Sequence, residues 1–106
     1  MRQLPKITQH ERYLIRHALG FGHGIRFAFR NYFNTDGSGA DFEDWQSLVD
    51  RGLAIRWIAH GCPGFVFAAS EAAARAAKEK TEGFDEDVMR HFRRVEGRLK
   101  RSEVAA

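Results

Sequence analysis

The stretch from Asn34 to Asp44 comes closest to a metal-binding motif. Oxygen-bearing side chains stand at its first, third and fifth positions (Asn34, Asp36 and Ser38), and Gly39 is sixth, as in an EF-hand calcium loop. The pattern then fails, because the apolar eighth residue is missing and the closing residue is aspartate rather than a bidentate glutamate. We expect an ordinary acidic turn and no metal site, with calcium binding at this degenerate loop as a minor alternative.

A second pair of potential metal ligands, His60 and Cys62, lies at the tip of a predicted hairpin. No other ligands occur at a recognisable zinc-site spacing, and the zinc-deaminase signature is absent. Cys62 is the only cysteine in the chain, and its position beside Pro63 gives no sign of thiolate activation. We therefore predict that the protein is not an enzyme, with no cofactor and no small-molecule substrate.

The basic residues suggest nucleic-acid binding, because they concentrate at the two ends of the chain. Residues 1–30 hold six basic side chains and one acidic, residues 31–50 hold five acidic and none basic, and residues 90–101 hold six basic and one acidic. Such clusters either bind phosphates or form solvated faces. The candidate nucleic-acid-binding residues, for DNA or RNA, are Arg12, Arg16, Arg26, Arg30, Arg93, Arg94, Lys100 and Arg101.

Local signals predict the elements that position these residues. Thr8 and Glu11 form a capping box, so a first helix begins there and ends at Gly20. Asp41 is a plausible N-cap for a second helix that ends before Gly52. Between them, residues 25–35 mix strand and helical spacing, and we expect an irregular segment that ends in a short strand.

A two-stranded hairpin follows the second helix. Apolar residues alternate from Ile55 to Ala59, a Gly-Cys-Pro-Gly turn follows, and alternation resumes at Phe65. Residues from the helix and from both strands are expected to share one core, namely Trp45, Leu53, Trp57, Phe65 and Phe67.

Two further helices are predicted after the hairpin. Ser70 caps an alanine-rich helix that ends near Gly83, and Asp85 opens a basic amphipathic helix. We predict a core at residues 1–83, including a short N-terminal arm, and a C-terminal helix at residues 84–106. The apolar stripe of this helix could either fold back on the core of its own chain or pair with a second chain. We favour pairing, so the stripe is a candidate self-association surface and predicts a homo-oligomer; it consists of Phe84, Val88, Phe92, Val95 and Leu99.

These elements predict a one-domain α+β protein with a winged-helix-like arrangement of helices and hairpin. No apolar run approaches the length of a membrane span, and the lone cysteine fits a reducing compartment. We therefore expect no membrane association and a cytoplasmic location.

The chain also resembles a group of small phage and prophage proteins over residues 12–75. The shared runs are Arg-His-Ala-Leu-Gly at residues 16–20, Arg-Asn-aromatic-Phe at residues 30–33, and Leu-Val-x-x-Gly-Leu at residues 48–53. Phe67 and Ser70 also match, whereas Ala73 and Ala74 stand where that group usually has a glycine. The resemblance implies a phage-type winged-helix-like fold and brings no established activity. It also puts the expected cytoplasmic location in a bacterial host cell.

The expected function is protein-protein binding or assembly, with nucleic-acid binding through the basic terminal helices as the alternative. The helix between Asp41 and Arg51, which a winged helix would normally present to DNA, carries four acidic residues against one arginine. Phosphates would be repelled there. Bound DNA should therefore lie against the basic ends of the chain.

Overall fold

The computed structural model describes residues 3–61 and 63–105, with side chains described as far as residue 101. Within those residues the chain forms four α-helices and five short strands. In chain order they are α1 (Gln9–Leu19), β1 (Phe27–Ala28), β2 (Phe33–Thr35), α2 (Ala40–Asp50), β3 (Ala54–Trp57), β4 (Phe65–Ala69), α3 (Glu71–Ala77), β5 (Gly83–Phe84) and α4 (Glu86–Ala105). This composition confirms the predicted α+β class. In the part of the chain described, no helix combines the length and apolar character that crossing a membrane requires.

An antiparallel sheet of three strands, in the order β2-β4-β3, forms the centre of the fold. The hairpin β3–β4 pairs Ala54 with Ala69 and Trp57 with Val66. Before the start of β2, the buried side chain of Asn31 continues the ladder, because its amide accepts from the Ala69 N–H at 2.9 Å and donates to the Ala69 carbonyl at 2.8 Å. One side chain thus satisfies two buried backbone groups.

Helices α1 and α2 cover the sheet and enclose an aromatic core. The Trp45 ring stacks on Phe67 with centroids 5.5 Å apart, and both side chains are fully buried. Leu53 and Phe65 pack against this core, as predicted. Trp57 is half-buried and stands outside the core cluster, with the Arg98 guanidinium 5.8 Å from its ring centroid.

Most of the predicted helix ends are confirmed. Thr8 and Glu11 make the reciprocal bonds of a capping box, and Gly20 ends α1 in the left-handed conformation at φ 84°. The prediction for α2 is wrong by two residues, because its N-cap is Gly39, which provides no side-chain bond. The carboxylate of Asp41 contacts His10 on α1 instead.

The C-terminal region departs most from the prediction. Helix α3 ends at Ala77 rather than near Gly83, and Gly83 and Phe84 form β5, which pairs in parallel with β1. The predicted boundary between residues 83 and 84 therefore falls inside a strand. Val88 and Phe92 of α4 belong to the same buried cluster as Trp45, so α4 is part of the core.

Candidate nucleic-acid interface

The basic residues identified in the sequence do not form one surface. Arg12, Arg16 and Arg30 line a common groove beside α1. Arg26 lies in the adjoining segment, and the other four cations belong to α4 or its last turns. The end of α4 that adjoins β1 is its acidic start, where the Asp85 N–H donates to the Ala28 carbonyl at 3.1 Å. The basic half of α4 therefore points away from this junction along a 20-residue helix.

The groove beside α1 has a volume of about 820 Å³ and is open to solvent. Its walls combine aromatic rings, cations and imidazoles, and no carboxylate lines it among the residues that the structure describes. The lining residues are Gln9, Arg12, Tyr13, Arg16, His17, Gly20, Phe21, Gly22, His23, Ile25, Phe29 and Arg30. A site of this size and composition suits an anionic ligand with a flat apolar part.

Two of the groove's arginines are already paired within the protein. Arg16 makes a bidentate pair with Glu82, at 2.5 and 2.7 Å, and also donates to the Ala77 carbonyl. The hydrogen bond to Glu82 raises the pKa of Arg16, and the same bond lowers the pKa of Glu82. Arg12 meets Glu79 at 3.0 Å in a more exposed pair. Arg16 therefore lines the groove, but its charge is neutralised by Glu82. Arg12 also lines the groove and retains guanidinium N–H donors that are not used in its pair with Glu79.

The segment from Ile25 to Tyr32 exposes several large apolar side chains to solvent. Phe27 is 62% exposed and Phe29 is 51% exposed. Ile25 and Tyr32 are also exposed, so four large apolar residues face solvent within eight positions, interleaved with Arg26 and Arg30. We call these six residues, together with Tyr13 of α1, the aromatic–arginine surface. Alternation at residues 25, 27 and 29 was visible in the sequence, but alternation alone does not say which face is buried.

Arg30 contacts two aromatic rings of this surface and the backbone of α1. Its guanidinium lies 5.4 Å from the Phe29 ring centroid and 5.8 Å from that of Tyr32, and its Nη2 donates to the His17 carbonyl at 2.9 Å. The Tyr32 N–H donates to the Ala18 carbonyl, which ties the same segment to the end of α1. The rings and the cation therefore stand in one fixed arrangement.

Two glycines hold the exposed phenylalanine rings in place. A methyl group built on Gly20 would lie 2.8 Å from Cζ of Phe29, and one built on Gly83 would lie 3.1 Å from Cε1 of Phe27. Each ring thus rests on bare backbone on one side, while half or more of its residue remains exposed to solvent. The Phe29 N–H also donates to the Leu19 carbonyl at 3.3 Å, and this hydrogen bond holds the backbone of Phe29 against the end of α1.

The outward face of α4 is the second basic surface, and Arg93, Arg94, Lys100 and Arg101 are exposed on it. None of the four has an ion-pair partner among the side chains that the structure describes. Burial, and secondarily Arg94, lowers the pKa of His91, so this residue adds little charge at neutral pH. We call these four residues the basic face of α4.

The predicted self-association stripe requires correction, because it is buried within its own chain. Val88, Phe92 and Val95 are almost completely inaccessible, and Leu99 is half-buried. Phe84 lies in β5 rather than in the helix, and its ring meets Phe92 edge to face at 5.1 Å. The stripe packs against α3 and the hairpin, so its central residues Val88, Phe92 and Val95 are not available to a second copy. Self-association through another surface stays a prediction.

The acidic loop has a structural role that the sequence did not indicate. His10 of α1 lies between two carboxylates of α2, with Nε2 3.0 Å from Asp41 and Nδ1 2.5 Å from Asp44. The hydrogen bond to Asp44 is the main cause of a raised pKa at His10. Two of the would-be calcium ligands are thereby engaged, and no group of three or more metal-ligating side chains occurs among the residues described. In the predicted pair of His60 and Cys62, Cys62 lies outside the described residues.

Comparisons with known proteins leave the family open. No protein-family model, no curated protein and no solved structure matches this chain. The resemblance to phage proteins therefore stays a prediction that rests on the short sequence runs alone.

Proposed function

We propose that the protein is a small non-enzymatic nucleic-acid-binding domain that contacts phosphates through the basic face of α4. Four exposed cations on one helix carry this proposal, because none of them has an ion-pair partner among the side chains described, which extend to residue 101. An ion pair within the protein would have to be broken before such a cation could bind a phosphate, and these four need no such exchange. Glu96 is the only acid between residues 90 and 101.

Nucleic-acid binding is favoured over assembly because of what the fold buries. The stripe on which self-assembly was expected to depend lies in the core, whereas the basic side of the same helix faces solvent. We further propose a winged-helix-like core, which the sheet order β2-β4-β3 and the position of α2 before the hairpin support. Only the shared sequence runs support a phage type for this core. Helix α2 contains four acidic residues and no basic one, so the proposed contact differs from the usual recognition-helix docking. We place this activity in the cytoplasm of a bacterial host.

The number of phosphate contacts predicts how strongly the affinity for nucleic acid should depend on salt concentration. Four phosphate contacts on duplex DNA predict a slope of about −3.6 in log affinity against log salt. Affinity should then fall about 150-fold between roughly 50 and 200 mM salt. The corresponding fall for a single strand is about 50-fold, because fewer counterions are released.

Fluorescence anisotropy with labelled duplex and single-stranded oligonucleotides tests the proposal. Arg93→Glu should weaken binding to both and make the salt slope shallower by about one contact. Lys80→Glu is the matched control, because Lys80 is exposed in the turn after α3 and the substitution changes net charge equally. Equal effects of the two substitutions would refute a specific role for α4. Absence of binding at low salt would refute the function itself.

A further inference from the structure

We propose that the groove beside α1 is a stacking site for an unpaired base, so that the protein prefers single-stranded over duplex nucleic acid. This inference rests on the proposed nucleic-acid-binding function and adds the form of nucleic acid that is bound. The base would stack on Phe29, and Arg30 would contact the adjoining phosphate or base edge. The basic face of α4 would supply the contacts that do not depend on strandedness.

The first argument is that the stacking ring is already in position. Phe29 rests on Gly20, its backbone N–H is bound to Leu19, and about half of its surface remains exposed. Binding therefore requires little additional ordering of the protein. An apolar ring kept exposed in a fixed orientation is the arrangement that single-strand-binding proteins use for bases.

Charge favours an anionic occupant. Among the described residues, three arginines, two histidines and no carboxylate line the groove. Arg12 and Arg16 are already paired with glutamates, so the argument depends on Arg30, which makes no ion pair within the described part of the chain. Arg30 lies close to the stacking ring and retains donor capacity at Nη1, because among the described atoms its guanidinium bonds only through Nη2, to the His17 carbonyl. A nucleotide combines a flat apolar base with a phosphate, which matches this combination of ring and cation.

Base pairing explains why the groove should prefer a single strand to a duplex. In a duplex each base is stacked between its neighbours, so reaching a ring inside a groove requires extrusion of the base at a cost of a few kcal/mol. A single strand has no pairing to break. The groove should therefore add affinity for single strands and add little for duplexes.

The test compares a labelled single strand of about 12 nucleotides with a duplex of the same length, a length within the range of known single-strand sites. Phe29→Ala removes the ring on which one base would stack, so it should weaken binding of the single strand by about 5- to 150-fold. Binding of the duplex should be nearly unchanged. Phe29→Tyr keeps a stacking ring and should bind like the wild type. Ile58→Ala is the matched control, because Ile58 is an exposed apolar residue after β3 that does not line the groove.

The outcomes separate the two proposals. If Phe29→Ala leaves single-strand affinity unchanged while Arg93→Glu weakens it, the groove proposal is wrong and the proposed function stands. Equal losses for single strand and duplex would also overturn the groove proposal, because stacking predicts a selective loss. If the wild type binds neither form, both proposals fail, and the aromatic–arginine surface would then be a candidate for docking a protein. Thermal unfolding of each variant confirms that the fold is retained.

Discussion

Replacing Phe92 with alanine tests whether α4 belongs to the core of its own chain. Phe92 is fully buried, its ring meets Phe84 edge to face, and it belongs to the cluster that contains Trp45. Removing a buried phenylalanine costs about 3–5 kcal/mol, and the lost aromatic pair favours the upper half of that range. A domain of this size has a total stability of about 5–15 kcal/mol, so the variant should remain marginally folded.

The expected loss corresponds to a fall in melting temperature of about 12–25 °C. Urea unfolding followed by circular dichroism measures the free energy, and repeating it over a wide range of protein concentration tests for association. For a monomer whose stripe is internal, the wild-type midpoint should not depend on concentration. Leu99→Ala is the control on the same helix face, and because Leu99 is only half-buried it should cost about 1–2 kcal/mol.

A different pattern would refute this reasoning. If α4 paired with a second chain, the wild-type midpoint would rise with protein concentration. Phe92→Ala would then convert a dimer into a folded monomer whose stability no longer depends on concentration. Light scattering on the two proteins distinguishes these cases directly.

Three further predictions concern other parts of the molecule. Asn31→Ala should destabilise the protein by about 2–4 kcal/mol in urea unfolding, because it leaves the N–H and carbonyl of Ala69 buried without partners; a loss below about 1 kcal/mol would show that water replaces the amide. The pKa of His10 is raised above 6.5, so its stabilising contribution should be complete below that pH and be lost as pH rises through the folded-state pKa. The difference in melting temperature between wild type and His10→Gln should accordingly shrink from about pH 6 to pH 9, and a constant difference would contradict the assigned bonds to the two aspartates. Titration with terbium should give no saturable terbium luminescence sensitised by Trp45, because the acidic loop is not expected to bind calcium. A terbium signal that calcium displaces and that Asp36→Ala abolishes would establish a calcium site in this loop.

Local signals predicted the parts of the fold that depend on neighbouring residues. The capping box of Thr8 and Glu11 acts over three residues, and the end of α1 at Gly20 depends on one backbone conformation. The hairpin followed from alternation on either side of a glycine-rich turn, and Ser70 caps α3 through the N–H of Ala73. Each of these signals lies within a few residues of the structure it determines.

Contacts between distant residues were missed. The pairing of β1 with β5 joins segments more than 50 residues apart through two residues each, too few to produce a periodic pattern. The candidate site was affected in the same way. Arg16 was correctly identified as basic, but its neutralisation by Glu82 spans 66 residues. The exposure of Phe27 and Phe29 also depends on contacts with distant backbone, because Phe27 packs on Gly83 and Phe29 packs on Gly20.

The contact between Gly83 and the Phe27 ring has a consequence for how related sequences should vary. Gly83 lacks a positive φ, so alanine there suits the backbone and meets only the ring, at 3.1 Å. The residue at position 83 is therefore constrained by the side chain at position 27 and not by its own conformation. In relatives that share this fold, a side chain at position 83 should accompany a smaller residue at position 27, and the two positions should change together. A laboratory counterpart is the pair Gly83→Ala and Phe27→Ala, whose combined effect on stability should be smaller than the sum of the single effects.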